Sequence, residues 1–405
     1  GGVDRGLKNY ANIGWGFAFG QDGGGGGDGG AVTVNSTAAI WTKGTGSNGI
    51  FAQSVGGGGG IVGGTGNDLP VLSVLNFAGS VGGEGSGGAV TVNQTGNVIT
   101  IGDAADGIFA QSAGGRRTGG IGGLGGAVNV TLNSGSILTT GAESNGIFAQ
   151  SLGEGGNGNI SVNIAHASSV VLGGSGTGAA IRIADGNFNL LTNRGTLAAG
   201  AGVSGTTIIG GAGHERVNNF GTVIGSLDLG GGTNEFTNNA GALFTAGLSI
   251  TLGSGGLFTN AGALSLGDAG RVQRTDVTGH FMQAGTPRWL VDIGQPGVSD
   301  TLAVSGRANL GASVTTVDIN ELLTPSSSGS YALLTAQSGL SGAQFRLGSM
   351  YGAMPIGQTF DFANSDTKEA LTLLPSTGSF YWTGGVGGAW TTAFVNGVSN
   401  WTRSG

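Results

Sequence analysis

The chain has 405 residues, of which 92 are glycine, 6 are proline and none is cysteine, and its formal net charge is −7. Few prolines and the lack of a strict three-residue glycine period exclude a collagen helix, and a hydrophobic content of 38% is too high for a polar disordered linker. The 15 basic residues are scattered, which argues against nucleic-acid binding. A chain without cysteine has no disulfide, no cysteine-ligated zinc and no thiol nucleophile.

The chain has no run of 18 apolar residues, so the sequence predicts no transmembrane helix. It begins with two glycines and without a charged-then-apolar leader. We therefore expect a fragment of a longer protein whose targeting segment lies upstream.

Residues 1–172 contain three copies of one apolar hexapeptide, GIFAQS, at Gly49–Ser54, Gly107–Ser112 and Gly146–Ser151. A GGAV sequence precedes each copy. The distance from its alanine to the first glycine of GIFAQS is 18 or 19 residues (31 to 49, 89 to 107 and 127 to 146). Apolar and polar residues alternate after each GGAV sequence, which is typical of a strand with one buried face. A constant gap between equivalent strands predicts a repeating rung of a β-solenoid.

The hexapeptide leaves its inward face undecided, because Ile50 and Ala52 lie on one side and Phe51 and Val55 on the other. One ladder can still be predicted, because side-chain amides that stack in register bond to one another. It consists of Gln53, Gln111 and Gln150.

Residues 173–285 replace this unit with an Asn-x-Gly turn flanked by apolar residues. Asparagine and glycine tolerate positive φ, so the pattern predicts a fixed corner that recurs once per rung. The aligned asparagines are Asn193, Asn219, Asn239 and Asn260.

The remainder divides into a C-terminal cap or junction region, residues 286–375, and the start of a truncated tryptophan-rich repeat, residues 376–405. The cap region still alternates as strands, and four of the six prolines fall between residues 287 and 355. One rung alone buries too little apolar surface to offset its ordering entropy, whereas stacked rungs share a continuous core. The sequence therefore predicts an all-β, parallel β-helix in the form of a rod with a capped C-terminal end.

Several stretches resemble passenger domains of autotransporters, the type V secreted proteins of Gram-negative bacteria. The GIFAQS copies with their glycine runs resemble repeats of the glycine-rich passengers. The stretches SDTLAVSGRANLGASV (Ser299–Val314) and YALLTAQSGLSGAQF (Tyr331–Phe345) resemble the C-terminal passenger region. The tail from Tyr381 onward, YWTGG followed by two further tryptophans, resembles a passenger-associated transport repeat.

This resemblance implies a right-handed β-helix that is exported through the outer-membrane translocator barrel of the intact protein. It implies a place at the cell surface, anchored through the outer membrane, and a non-enzymatic role as a structural or adhesive rod in adhesion, autoaggregation or biofilm formation. Glycans or proteins of host or neighbouring cells are the partners we expect.

Two other functions stay open. A β-helical carbohydrate-active enzyme, a lyase or hydrolase, needs a general acid and base, for which His214, Asp228 and Glu235 are the nearest candidates. A calcium-stabilised repeat protein is suggested by GGTGND at Gly63–Asp68, but that motif is not repeated in tandem. A G-x-G-x-x-G match at residues 58–63 is expected by chance at this glycine content. We predict no catalytic residue, no cofactor site and no metal site.

Overall fold

The computed structural model describes residues 26–57, 84–116, 121–322, 329–351 and 359–374, and short stretches at 380–382, 394–395, 398–399 and 401–403. The chain forms two compact units: unit 1 contains residues 1–191 and 209–214, and unit 2 contains 192–208 and 215–405. Strands dominate these described ranges, which hold no α-helix and one 3₁₀ turn at Gly202–Ser204. Motif matches at residues 58–63 and 63–68 lie outside them.

Unit 1 is a parallel β-helix in which every rung contributes one strand to each of three stacks, named A, B and C. In chain order, cycling through A, B and C, the strands are β1 (Val32–Ser36), β2 (Ile40–Thr42), β3 (Ile50–Val55), β4 (Val90–Thr95), β5 (Val98–Thr100), β6 (Ile108–Ala113), β7 (Val128–Ser134), β8 (Ile137–Thr139), β9 (Ile147–Leu152), β10 (Ile160–Ile164), β11 (Val170–Leu172) and β12 (Ile181–Asp185). Each strand pairs in parallel with its equivalent in the next rung. The predicted stacking of the GIFAQS copies is thus present residue for residue.

Unit 2 is also built from parallel strands that stack from one rung to the next. Strand β13 (Phe188–Asn193) begins in unit 1 and ends in unit 2. The strands that follow are β14 (Thr196–Ala198), β15 (Thr206–Ile209), β16 (His214–Asn219), β17 (Thr222–Asp228), β18 (Glu235–Asn238), β19 (Leu243–Thr251), β20 (Leu257–Asn260), β21 (Ala263–Leu266), β22 (Arg274–Thr278), β23 (His280–Gln283), β24 (Arg288–Ile293), β25 (Thr301–Val304), β26 (Ala308–Asn309), β27 (Val314–Glu321), β28 (Gly329–Thr335) and β29 (Gln344–Tyr351). Strand β19 is long enough to pair with both β21 and β22, and the pairing of β17 with β19 shifts register between Gly225 and Leu227.

The parallel stacking of unit 2 ends in antiparallel pairs. Strand β31 (Lys368–Leu374) pairs antiparallel with β28 and with β30 (Thr359–Asn364). The tail adds the short strands β32 (Phe380–Trp382), β33 (Phe394–Val395), β34 (Val398–Ser399) and β35 (Trp401–Arg403), of which β32 and β35 pair antiparallel. A parallel strand edge would otherwise offer unpaired N–H and C=O groups, so the hairpin closes this end of the coil.

The core follows from the period-two alternation. In the middle rungs of unit 1 the inward valines and isoleucines are fully buried, as Val90, Val92 and Ile108 illustrate, whereas Val32 and Val34 of the first rung are half buried. In unit 2 the interior becomes aromatic, and Phe236 and Phe258 stack with ring centroids 5.2 Å apart. Each such side chain contributes roughly 1.5–3 kcal/mol on burial, so stability grows with each added rung.

The hexapeptide turns its Ile, Ala and Ser inward and its Phe and Gln outward, which the sequence left open. The serine explains the choice. The Oγ of Ser112 donates to the carbonyl of Gly88 (2.8 Å) and accepts the N–H of Gly126 (2.8 Å), so one hydroxyl joins the corners of two rungs. Ser54 and Ser151 form the equivalent pairs of bonds. A serine buried at a corner therefore keeps its hydrogen bonds only when this face is inside.

At several corners, glycine is required by the close approach of a neighbouring backbone and not by a positive φ. A Cβ on Gly102 would lie 1.8 Å from the carbonyl oxygen of Gly44, and one on Gly221 would lie 2.1 Å from that of Gly195. Gly221 and Gly195 do not have positive φ, so the predicted reason for glycine in the Asn-x-Gly turns was wrong at these two corners. Stacked corners touch backbone to backbone, and only glycine leaves room for that contact.

Candidate functional site

The glutamines of the three hexapeptides stand in one outer column of stack C. The amide of Gln53 donates to the side-chain oxygen of Gln111, and that of Gln111 donates to Gln150. Gln150 in turn donates to the carboxylate of Asp185 at 2.8 Å. The column therefore forms a continuous run of side-chain hydrogen bonds that ends in a carboxylate.

A column of phenylalanines runs beside the glutamines. Phe51 and Phe109 stack with ring centroids 4.9 Å apart and planes 5° from parallel, and Phe109 meets Phe148 edge-on at 5.2 Å. The guanidinium of Arg182 lies 5.4 Å from the centre of the Phe148 ring, within range of a cation–π contact. Phe51 is half exposed, but Phe109 is almost completely buried. This outer face therefore carries phenylalanine rings and glutamine amides, and those of its middle rung are buried.

The asparagine ladder of unit 2 exists, with one member different from the prediction. Asn193 donates to Asn219 at 2.8 Å and Asn219 donates to Asn238 at 2.9 Å. Asn238 donates to Asn260 at 2.8 Å. All four side chains are fully buried. Asn239, the predicted third member, is half buried and donates to the backbone oxygen of Asn219.

The mistake has a simple cause. Asn239 fits the Asn-x-Gly motif, but strand pairing places Asn238 beside both Asn219 and Asn260. The strand that follows begins its pairing at Thr222 in one rung and at Leu243 in the next. The corner after Asn238 is therefore two residues longer than the corner after Asn219 (238 to 243 against 219 to 222). The extra residues carry the motif out of register with the ladder.

Sequence reasoning missed a second buried ladder, formed by the residue that precedes each hexapeptide in unit 1. The Asn48 side chain accepts the backbone N–H of Asp106 at 2.7 Å. One oxygen of Asp106 accepts both the backbone and the side-chain N–H of Asn145, at 2.7 and 2.9 Å. The other oxygen of Asp106 is buried and has no partner in the described part of the chain. Burial raises the pKa of Asp106 to about 6, although its bonds to Asn145 lower it. The equivalent positions Asn48 and Asn145 could have revealed this ladder, because both are amides and Asp106 alone is an acid.

The residues proposed for an enzymatic alternative are each engaged locally. His214 stacks on Phe188 with ring centroids 5.3 Å apart. Glu235 forms an ion pair with Arg216 at 2.6 Å, and Asp228 accepts the backbone N–H of Gly230 in its own turn at 3.1 Å. Among the residues that the structure describes, no group of three or more His, Asp and Glu could hold a metal ion. The enzymatic alternative remains a hypothesis.

Unit 2 also contains buried polar groups near its cap. Both carboxylate oxygens of Glu321, both of Glu369 and the Tyr331 hydroxyl are buried with no hydrogen-bond partner in the described ranges. Burial raises the pKa of Glu321 to about 7 and that of Glu369 to about 8. Burial also raises the pKa of Tyr331, with a smaller contribution from Glu321. Burial thus favours the neutral form of each group, and at pH 7 the carboxyl of Glu369 is mostly protonated whereas that of Glu321 is partly protonated.

One surface groove of about 280 Å³ lies at corners of unit 2, within the cap region of residues 286–375. Its polar lining consists of Arg307, Asn309, Ser341 and Asp366. Trp382 is opposite Trp401 in the β32–β35 pair, and Trp390 is outside the described residues.

None of the described helical segments is long and apolar enough to cross a membrane. In comparisons with known proteins, no family model matches the chain, and no curated protein matches it.

Proposed function

We propose that this chain is part of an autotransporter passenger and acts as a non-enzymatic structural and adhesive element of the cell surface. The in-register parallel stacking of the GIFAQS copies carries the proposal. Those copies are the residues that resemble glycine-rich passengers, and the β-helix is the fold that this resemblance implies. Each copy contributes inward side chains that only pack or bond backbone, which suits a stiff repeating element.

The outer-membrane translocator barrel of the intact protein is the proposed export partner. Folding then proceeds from the C-terminal end, because a rung stacks most readily on a strand edge that already exists. The antiparallel hairpin β30–β31 supports this order, since it offers a locally formed edge beside β28. Hairpins close quickly because their strands are near in sequence, whereas parallel rungs must close long loops first.

The adhesive part of the proposal is supported by the outer surface of unit 1. On its stack C, Phe51 is half exposed and can contact a partner, whereas Phe109 and Gln111 of the middle rung are buried. Charged residues make up only 9% of the sequence, so charge repulsion between such surfaces and a partner is small. Many weak contacts on a repeating surface add up to strong attachment.

Surface display tests the proposal directly. The chain would be joined to a secretion signal and to a translocator barrel and produced in a laboratory Gram-negative host. We expect protease accessibility on intact cells, faster settling of the cells and increased attachment to an epithelial monolayer. A matched variant, Val92→Asp, introduces a charge into the fully buried core of unit 1 and should abolish attachment.

Two results would contradict the proposal. One is a folded, displayed chain that leaves both settling and attachment unchanged. The other is cleavage of a polysaccharide by the purified chain, lost in the combined variant His214→Ala, Asp228→Ala, Glu235→Ala, which would favour the enzyme instead.

A further inference from the structure

The groove of about 280 Å³ in unit 2 is assembled from three separate turns. Arg307 lies in the corner between β25 and β26, Asn309 is the last residue of β26, and Ser341 lies in the corner between β28 and β29. Asp366 comes from the turn between β30 and β31. Two successive corners and the turn between β30 and β31 therefore meet around one opening.

The groove is held in shape by hydrogen bonds that use only part of its polar groups. One oxygen of Asp366 accepts the backbone N–H of Gly339 at 3.0 Å and the hydroxyl of Ser341 at 3.1 Å. The side-chain oxygen of Asn309 accepts the backbone N–H of Gly311 at 3.0 Å. Three glycines line the groove, so backbone lies at its surface without side chains to fill it.

The polar groups of the groove that make no hydrogen bond or ion pair with the described residues differ in charge. The second oxygen of Asp366 and the amide nitrogen of Asn309 have no hydrogen-bond partner among the described residues, and Arg307 forms no ion pair there. The lining therefore offers one anionic acceptor, one neutral donor and one cationic donor. An anion would be repelled by Asp366 and a cation by Arg307, so the charges favour a ligand without net charge.

We propose that this groove binds one sugar ring of a neutral surface glycan. Neighbouring sugar hydroxyls both donate and accept, so one can donate to the carboxylate of Asp366 while another accepts from Arg307 or Asn309. A volume of about 280 Å³ is just below the range of roughly 300–1,000 Å³ typical of drug-sized ligands, which suits a single ring. Because the groove is open to solvent, the rest of a glycan can extend away from it.

This inference names the ligand class of the adhesion proposed above and rests on that function. A single ring in a shallow, polar site binds weakly, with a dissociation constant in the millimolar range. Many copies of the chain on one cell would then provide the avidity.

A free α-amino acid is the main rival, because its ammonium and carboxylate could pair with Asp366 and Arg307. The groove favours the sugar, since Arg307 and Asp366 are exposed and exposed ion pairs contribute little. Binding of glycine or alanine without binding of any glycoside would overturn the proposal.

The test uses the purified full chain and a panel of methyl glycopyranosides, those of mannose, galactose, glucose, fucose and N-acetylglucosamine, with saturation-transfer NMR as readout. We expect at least one glycoside to bind. Asp366→Asn keeps the size of the side chain but removes its charge, and Arg307→Ala removes the cationic donor. Each should weaken binding about tenfold, the loss expected for a hydrogen bond to a charged group.

The control is Arg274→Ala, which removes an exposed arginine of unit 2 that is paired with Asp276 and does not line the groove. This variant should bind like the parent chain. Circular dichroism verifies that each variant keeps its strands. No binding of any glycoside, or equal binding by Asp366→Asn, Arg307→Ala and the parent, would refute the proposal. Attachment of displaying cells that survives these two substitutions would leave the adhesive function standing without this site.

Discussion

Replacing Asp106 with asparagine should stabilise the protein at neutral pH. The substitution restores the amide found at the equivalent positions Asn48 and Asn145. The amide nitrogen of an asparagine at this position could donate to Asn48 as Asn145 now donates to Asp106. The Asp106→Asn substitution would also remove a buried carboxylate whose second oxygen has no hydrogen-bond partner in the described ranges.

The size of the effect follows from the pKa. Asp106 has a folded-state pKa of about 6 against an ordinary value of 3.8. Because the folded pKa is raised, the folded state holds the proton more tightly than the unfolded state. The stability from this group is complete below about pH 3.8 and is lost as pH rises to about 6. A shift of about two pKa units corresponds to about 3 kcal/mol, lost by the parent chain and not by the variant.

Urea denaturation of Asp106→Asn and of the parent chain between pH 4 and pH 8 measures this difference. We expect nearly equal stability at pH 4 and a gap of about 3 kcal/mol in favour of the variant above pH 6. Hydrogen exchange over residues 98–113 locates the effect in the affected rung. A gap that stays constant across this pH range, or a variant that is less stable at pH 8, would refute the reasoning.

Three further substitutions test other parts of the structure. Asn219→Ala breaks the buried asparagine ladder and should cost about 3 kcal/mol in urea denaturation, whereas Asn239→Ala should cost about 1 kcal/mol or less; equal costs would contradict the register described above. Gly102→Ala forces a Cβ into a neighbouring backbone and should prevent folding, which is seen as loss of the strand signal in circular dichroism. Gly30→Ala is the control, because a Cβ there would have nothing within 4 Å and the variant should fold. Two equally stable variants would contradict backbone contact at the corners. The parent chain should lose stability as pH rises from 4.5 through about 8, because the folded-state pKa of Glu369 is raised. Glu369→Gln should reduce this loss of unfolding free energy by at most about 5 kcal/mol. A pH profile of stability that is the same in the variant would show that this carboxyl is not buried in the neutral form.

The strands and their stacking could be predicted from the sequence because two simple regularities carry them. Alternation in period two marks Val90 and Val92 as inward, and the constant gap between repeats places Gln53, Gln111 and Gln150 in one column. Both regularities depend only on the spacing of residues along the chain. Because they recur in several copies, they can be recognised in the sequence without knowledge of the folded structure.

Register at irregular corners could not be predicted in the same way. The motif indicates Asn239, but hydrogen bonding between strands selects Asn238, since a corner can absorb two extra residues at little cost. The inward face of the hexapeptide depended on the serine bridge between corners, which becomes visible only when the rungs are stacked. The groove around Arg307 and Asp366 joins residues 59 positions apart (307 to 366), and no local pattern connects them.

Engineered cysteine pairs test the parallel, in-register stacking most directly, because the natural chain has no cysteine. Thr91 and Asn129 are register partners on adjacent strands β4 and β7, whereas Val130 points into the core. Adjacent strands lie about 4.8 Å apart, which is within the reach of a disulfide. Mild oxidation should cross-link the pair Thr91→Cys with Asn129→Cys and leave the pair Thr91→Cys with Val130→Cys reduced. Equal cross-linking of both pairs, or cross-linking of neither, would contradict the stacked coil.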